Sequence, residues 1–346
     1  MKEKRIQSIE EVGEFGLIEH LTKDTVIRHT STLKGIGDDA AVIDIGNECQ
    51  LVSTDLLLEG IHFDLVYTPL KHLGYKAVVV NLSDIYAMNA VPKQVTVSIA
   101  ISGKFSLQAL DQFYEGIHLA CEQYGVDLVG GDTSASMTGM MISVTALGTA
   151  PKSEVVYRSG AKLNNLVCVT GDLGSAYMGL RILEREKALF SEDPGFQPDL
   201  KNYEYLVGRF LKPEARVDVL LKMRELGVLP TSMIDISDGL SSELLHICKQ
   251  SDCGVVVYQD RIPVDNETAE AAVEFALEPL IPALNGGEDY ELLFTVPLSA
   301  HDQVTSIPGV RVIGNITEHK GTAIMMTPEG NAVGLQAQGW EAYRRG

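Results

Sequence analysis

Six times along this chain an apolar run meets an acid set beside glycine, serine or threonine. Asp38 and Asp39 do so in GIGDDAAV, Asp55 in LVSTDLLLEGIHF, Asp84 in VVVNLSDIYAMNA, Asp132 in LVGGDTSAS, Asp235 and Asp238 in MIDISDGLSS, and Glu288 and Asp289 in NGGEDYELLF. A carboxylate at the edge of an apolar segment carries a desolvation cost unless a cation meets it. Any single one reads equally as a helix cap or a turn residue. Taken together they point to one nest, because separate caps have no reason to share this composition, and small neighbours let main chain and oxygen-rich ligands approach closely. A converging nest of carboxylates needs hard cations.

The pattern between these junctions is an alternation of helix-like and strand-like segments, which predicts an α/β or α+β protein. The 346 residues are enough for two cores. We place a first domain at 1–150 and a second at 151–346, opening near PKSEVVYRSGAK, where polar and turn residues cluster. In the first, strands are expected near 50–54, 94–101, 127–130 and 140–149 and helices near 71–89 and 106–124, the last with a glycine stop. In the second we expect strands at NLVCVTG, SMIDIS, 254–258, 289–296 and 310–316, and helices from about Gly174, within 201–224 and over 239–251. EKALFSEDPGFQPDLKN reads as a polar loop.

Forty-seven acids against 28 bases give a formal charge of −19, which disfavours nucleic acid and anionic membrane as partners. No stretch approaches a bilayer-spanning length. The five cysteines, with no CxxC pair, read as buried thiols of a reducing compartment, so the expectation is a soluble, cytoplasmic protein.

Carboxylate and hydroxyl oxygens without a histidine or thiolate cluster suit Mg²⁺ or Mn²⁺ better than Zn²⁺. A calcium EF-hand fails on spacing, because DISDGLSSE has its glycine and glutamate too early in the loop. Mg²⁺ commonly bridges one or two carboxylates to phosphates, so the nest reads as a phosphate site seen through its metals. GxxxxGK[ST], GxGxxG and the protein-kinase motifs are absent from the chain. VTGDLGSAYMG is a strand, a glycine turn and a helix start able to offer backbone N–H groups to a phosphate. Residue chemistry alone therefore reaches a metal-dependent enzyme acting on phosphates.

GIGDDAAV, STDLLLEGIHF, NLSDIYAMNA, LVGGDTSAS, RSGAK, IDISDGL and GGEDYELLF, in this order and spacing, resemble the thiamine-monophosphate kinase family. That family belongs to the superfamily of aminoimidazole ribonucleotide synthetase and selenophosphate synthetase. The resemblance runs from about residue 13 to 343. It implies a two-domain aminoimidazole ribonucleotide synthetase-like fold whose N-terminal sheet pairs across a homodimer and whose C-terminal α/β domain completes the cleft. It also implies ATP-dependent phosphorylation of thiamine monophosphate to thiamine diphosphate with several Mg²⁺ ions. Motif by motif, it implies metal ligands at Asp39, Ser53, Thr54, Asp55, Asp84, Asp132, Asp235 and Asp238. The nucleotide would meet Tyr114, Gly131, Asp132, Arg158 and Ser237, and the thiamine phosphate His62, Glu288 and Tyr343, with Trp340 a further aromatic near the end.

Each of these has a plainer reading beside it: His62 at a core edge, Arg158 on the surface, Tyr114 as packing, Trp340 and Tyr343 as anchors of the tail. The chain departs from the family pattern at Leu163, Asn164 and Asn165, and at Asn89, where asparagine can supply the turn or left-handed conformation. The acceptor phosphate, with a second pKa of about 6, needs no strong general base, so direct transfer without a phosphoenzyme is expected. Two alternatives stay open. One is a sister ATP-dependent synthetase, although the first cysteine, Cys49, follows the metal motif and the chain ends in YRRG. The other is a non-catalytic thiamine phosphate sensor.

Overall fold

The structure, a computed structural model, describes residues 9–193, 195 and 197–337. The first half contains α1 (Ile9–Thr22), β1 (Thr32–Lys34), β2 (Ala41–Asp44), β3 (Glu48–Leu58), α2 (Leu70–Ala87), β4 (Val91–Ile101), α3 (Leu107–Tyr124), β5 (Asp127–Ala135) and β6 (Met141–Pro151). Its six strands form one sheet in the order β1-β2-β3-β6-β4-β5, antiparallel except for the parallel pair β4 and β5. Alternation along β3 turns Ser53 and Leu57 inward and leaves Thr54 and Leu56 exposed on the other face.

The inward face is covered by α2, whose LKHLGYKAVVVNLSDIYA is buried on nearly every side. A helix apolar all round belongs in the middle of a protein. It lies against β3, β4 and β6, against α3, and against the second half of the chain. The polar residues Lys76, Asn81, Ser83 and Asp84 are embedded in it. α3 begins at Ser106, whose hydroxyl accepts from Ala109 N–H at 3.1 Å, and stops at Gly125 with φ 64°. α2 and α3 approach to backbone contact: a β-carbon on Gly74 would sit 2.0 Å from the Phe113 carbonyl oxygen, and one on Gly116 would sit 1.9 Å from that of Lys71. Gly116→Ala is therefore expected to lower stability by about 2 kcal/mol or more through overpacking. Thermal melting checks this, and an unchanged melting temperature would refute the close packing.

The second half supplies β7 (Leu166–Thr170), α4 (Ser175–Glu192), α5 (Glu204–Leu211), α6 (Val217–Glu225), β8 (Ser232–Ile236), α7 (Leu240–Ser251) and β9 (Gly254–Tyr258). It continues with α8 (Asn266–Glu274), α9 (Ile281–Asn285), β10 (Glu291–Val296), α10 (His301–Thr305), β11 (Val310–Thr317), β12 (Ala323–Met326) and β13 (Ala332–Gly334). The strands form a mixed sheet in the order β13-β12-β9-β11-β7-β10-β8. The mixed α/β class and two-sheet architecture agree with the sequence reading. The expected loop EKALFSEDPGFQPDLKN is corrected, since its first residues belong to α4, which runs to Glu192. The elements α1, β1, α8, α9, α10, β12 and β13 lie outside the segments read from the sequence. Asn89 (φ 56°) and Asn164 (φ 65°) are left-handed, as their place in the chain suggested. All five cysteines are buried and unpaired. No helix among the described residues is long and apolar enough to cross a membrane.

Candidate active site

The site forms where strand ends from both sheets meet α2. Asp39, from the turn before β2, Asp84 on α2 and Asp235 on β8 bring carboxylate oxygens within 4.8 Å of one another. They are held from behind. Ser53 donates its hydroxyl to Asp84, and Ser83 donates to Asp235 at 2.6 Å. Asn81 accepts from the Asp55 N–H at 3.0 Å while giving its own amide to Ala77. Polar residues in an otherwise apolar helix are thus second supports for acids on neighbouring strands.

The adjacent pair divides its work. Asp38 Oδ1 accepts the Arg158 main-chain N–H at 3.1 Å, and its other oxygen pairs with Lys34. Asp39 turns inward and takes Arg158 Nε at 3.0 Å on Oδ1, while its Oδ2 is buried without a hydrogen-bond partner. Arg158, expected at the nucleotide, here forks onto an acid of the nest.

Mutual repulsion and burial are visible in the acids' proton affinity. Burial pushes Asp39 up to about 7 against the pull of Arg158. Burial and Glu288 raise Asp55 to about 6, and burial takes Asp235 and Asp238 to about 6. Asp84 lies well above the usual carboxylate range, through burial first and then Asp55, Asp235 and Asp39. A hard divalent cation fits this set: the donors are all oxygen, they converge, one buried oxygen is orphaned, and the negative charge exceeds what Arg158 balances. Asp39, Asp84 and Asp235 would hold it, with Asp55 and Asp238 beside them.

Unfolded carboxylates titrate near 4, so between pH 4 and 7 these acids bind more protons in the folded, metal-free protein than in the unfolded chain, and their contribution to stability falls as pH rises through this window, against the smaller opposite contribution of His62, His72 and His246, whose pKa values burial lowers. In EDTA the melting temperature is expected to be lower at pH 8 than at pH 5.5, and Mg²⁺ should restore it at pH 8. A metal-free protein that becomes more stable from pH 5.5 to 8 would contradict the uncompensated nest.

His62 and Glu288, expected at the thiamine phosphate, lie close to each other beside the same cluster. His62 is half-buried, its Nδ1 accepts the Leu58 N–H at 3.0 Å, and burial lowers its pKa. Its charged neighbours are Glu288 and Lys76. Ser237 is exposed on the loop after β8, and its carbonyl accepts the Glu288 N–H at 2.8 Å. That loop and 286–288 fit together only through glycine: a β-carbon on Gly287 would lie 2.4 Å from the Ser237 carbonyl oxygen, and Gly239 has φ 112°.

Two expected ligands are not brought to the acid trio. Thr54 faces the opposite side of the sheet from Ser53 and donates to the Val144 carbonyl at 3.0 Å, because adjacent strand residues alternate faces. Asp132 is exposed on edge strand β5, in register with Ser98, Ser143 and then Leu56 of β3. Three strand spacings, roughly 14 Å, separate those backbones. Gly131 adjoins it on the same edge. Tyr114 is half-buried on α3 and packs edge-on against Phe113 at 5.8 Å. Tyr343 and Trp340 lie outside the described residues.

At the glycine turn before α4, expected to offer N–H groups to a phosphate, two of them are already taken: the buried Asp289 carboxylate accepts from Gly174 N at 2.7 Å and Ala176 N at 3.3 Å. Sequence reasoning also missed Glu243, which is buried and accepts the N–H groups of Ser237 (3.2 Å) and Asp238 (2.9 Å). Its signal was a glutamate in the first turn of a helix opened by DG.

The fold and this acid-lined cleft define a class: family models described as AIR synthase related protein, N-terminal domain and C-terminal domain, match residues 37–150 and 165–327. Thiamine-monophosphate kinase of Bacillus subtilis (strain 168) is 32% identical over 346 residues, 96% of this chain and 100% of the relative. That of Escherichia coli (strain K12) is 36% identical over 289 residues, 82% of this chain and 83% of the relative. The solved structure "AaThiL complexed with AMPPCP and TMP" superposes with a TM-score of 0.81 at 30% identity, covering 98% of this chain and 99% of that one. The chain belongs to the thiamine-monophosphate kinase family. A hydrogenase maturation protein HypE in complex with ATP shares the fold alone, at 18% identity and a TM-score of 0.68.

Proposed function

We propose that this protein is an ATP-dependent kinase that phosphorylates thiamine monophosphate to thiamine diphosphate. The observation that carries this reading is the converging Asp39–Asp84–Asp235 trio, in a chain that aligns over nearly its full length with thiamine-monophosphate kinases. Bound Mg²⁺ would neutralise the negative charge of the phosphates and align them for in-line transfer. The chain's own residues do the rest. Asp39, Ser53, Asp55, Asp84, Asp235 and Asp238 form the metal-holding side of the cleft, with Ser53 acting through Asp84. Arg158 and Ser237 serve the nucleotide, and His62 and Glu288 the acceptor. No side chain takes a proton, since the acceptor phosphate is already ionised at neutral pH, and none is phosphorylated in passing.

The protein works as a homodimer in the cytoplasm. Supporting the dimer, the sheet face opposite α2 exposes Leu56, Val129 and Met141, and β5 is an open edge that carries Gly131 and Asp132. Thr54, Gly131, Asp132 and Tyr114 then belong to the part of the site that this face completes. Sedimentation at micromolar concentration tests it, and a monomer would count against the shared sheet.

The decisive experiment incubates purified protein with ATP, Mg²⁺ and thiamine monophosphate, with thiamine as control, and follows products by chromatography. Stoichiometric thiamine diphosphate and ADP that disappear with EDTA are expected. A folded protein that binds ATP yet forms neither product would favour the sensor or a sister synthetase.

A further inference from the structure

Lys76 lies at the cleft with a role that none of the foregoing explains. It sits on α2 with only 3% of its side chain exposed. Its ammonium forms an ion pair with Glu288, donates to the Phe210 carbonyl at 3.1 Å and lies 3.8 Å from the centroid of the Phe210 ring. A fully buried lysine is rare and persists only when paired. This one reaches from the first half of the chain to two segments of the second, α5 and the loop before β10.

The loop it reaches is held in an uncommon conformation. Glu288 and Tyr290 are non-glycine residues at φ 63° and 52°, on either side of Asp289. Left-handed backbone at such residues is unfavourable and survives where surroundings over-determine it. Here Glu288 N–H is tied to Ser237 O at 2.8 Å, Tyr290 N–H to Ile236 O at 2.9 Å, and the Asp289 carboxylate to the start of α4. These contacts fix the main chain. The Glu288 side chain still stands near Asp55 and Asp238, which repel it.

We infer that Lys76 is a positioning residue for the acceptor: its buried ammonium draws the Glu288 carboxylate away from the metal-holding aspartates and sets it, beside His62, where the thiamine group of the substrate binds. The inference rests on the reading of Glu288 as an acceptor contact. Lys76 itself stays behind Glu288, pinned by Phe210, and does not touch the reacting phosphates.

The test compares Lys76→Met, which keeps the apolar stem and loses the charge, with Lys76→Arg, Glu288→Gln and the double variant. Steady-state kinetics are measured separately for ATP and thiamine monophosphate. Lys76→Met is expected to raise KM for thiamine monophosphate tenfold or more with KM for ATP within twofold, and Lys76→Arg to recover part of the loss. The double variant should be no worse than the poorer single one. An unchanged KM for thiamine monophosphate, an equal rise for both substrates, or losses that multiply in the double variant would each overturn it. Should Lys76→Met fail to fold, Phe210→Leu loosens the ammonium from its other side, and a selective rise of about threefold is expected, with no rise counting against the inference. If the wild type shows no turnover, the proposed function fails. The Lys76–Glu288 coupling is then still read from melting temperatures: shifts of the two single variants that simply add would overturn the link.

Discussion

Replacing Asp84 by asparagine is expected to lower turnover at saturating Mg²⁺ roughly 10³-fold, equivalent to about 4 kcal/mol of transition-state stabilisation, while leaving the metal-free protein at least as stable as the wild type. The two halves of this expectation have one cause. Asp84 stands among Asp39, Asp55 and Asp235, which all raise its proton affinity. At pH 8 without a cation the four repel one another, so removing a charge relieves the fold. Asparagine keeps the shape and still accepts the Ser53 hydroxyl, so packing is preserved. With metal and phosphates present, the same charge is the stabilising partner, and its loss falls on catalysis. Kinetics with excess Mg²⁺ and melting in EDTA decide the matter. Activity within tenfold of wild type, or a melting temperature several degrees lower in EDTA, would mean that Asp84 is structural.

Glu291→Ala should behave in the opposite way, costing about 3–5 kcal/mol of stability as the loss of a buried ion-pair partner does. Glu291 is fully buried on β10 and takes Arg209 at 3.0 Å, Arg216 at 3.4 Å and the Thr170 hydroxyl. Without it the two guanidinium groups lose their shared buried carboxylate in a cleft of about 480 Å³ lined also by Asp172, Tyr205 and Lys212, and Arg216 is left with Asp218 at 3.1 Å. Arg209 also reaches the carbonyls of Asp172 (3.2 Å) and Asp289 (3.5 Å), so the loss spreads to the loop that carries Glu288. Urea unfolding measures it. A loss under about 1 kcal/mol would show that the arginines find water or other partners.

The two substitutions separate acids of the same chain that look alike in sequence. Asp84 and Glu291 both adjoin apolar runs, but only the surroundings reveal that one faces repelling carboxylates and the other faces arginines. The same holds within GGEDYE, where Glu288 turns to the cleft and Asp289 caps α4. It holds again within GDD, where Asp38 serves the turn and Asp39 the nest.

Much of the molecule was nevertheless legible from the chain. Strand and helix periods, the glycine stop at Gly125 and the clustering of acids at strand ends are local properties, set by the pleat, by helical pitch and by the chemistry of adjacent residues. They determined the α/β or α+β class and the oxygen-rich, cation-seeking character of the site, while the two-domain sheet arrangement was implied by the resemblance of the motifs taken together. Tertiary structure alone decided which acids converge, because convergence depends on which strands are neighbours and which face each residue takes. Asp132 is level with β3 yet three strands away, Thr54 is one residue from Ser53 yet on the other face, and the α4 N-terminus is filled by a carboxylate more than a hundred residues later in the chain. Lys76 reads in sequence as one polar residue in an apolar helix. Its charge acquires a purpose only where that helix lies between the two halves of the chain, since an ammonium removed from water must find its counter-charge across the boundary.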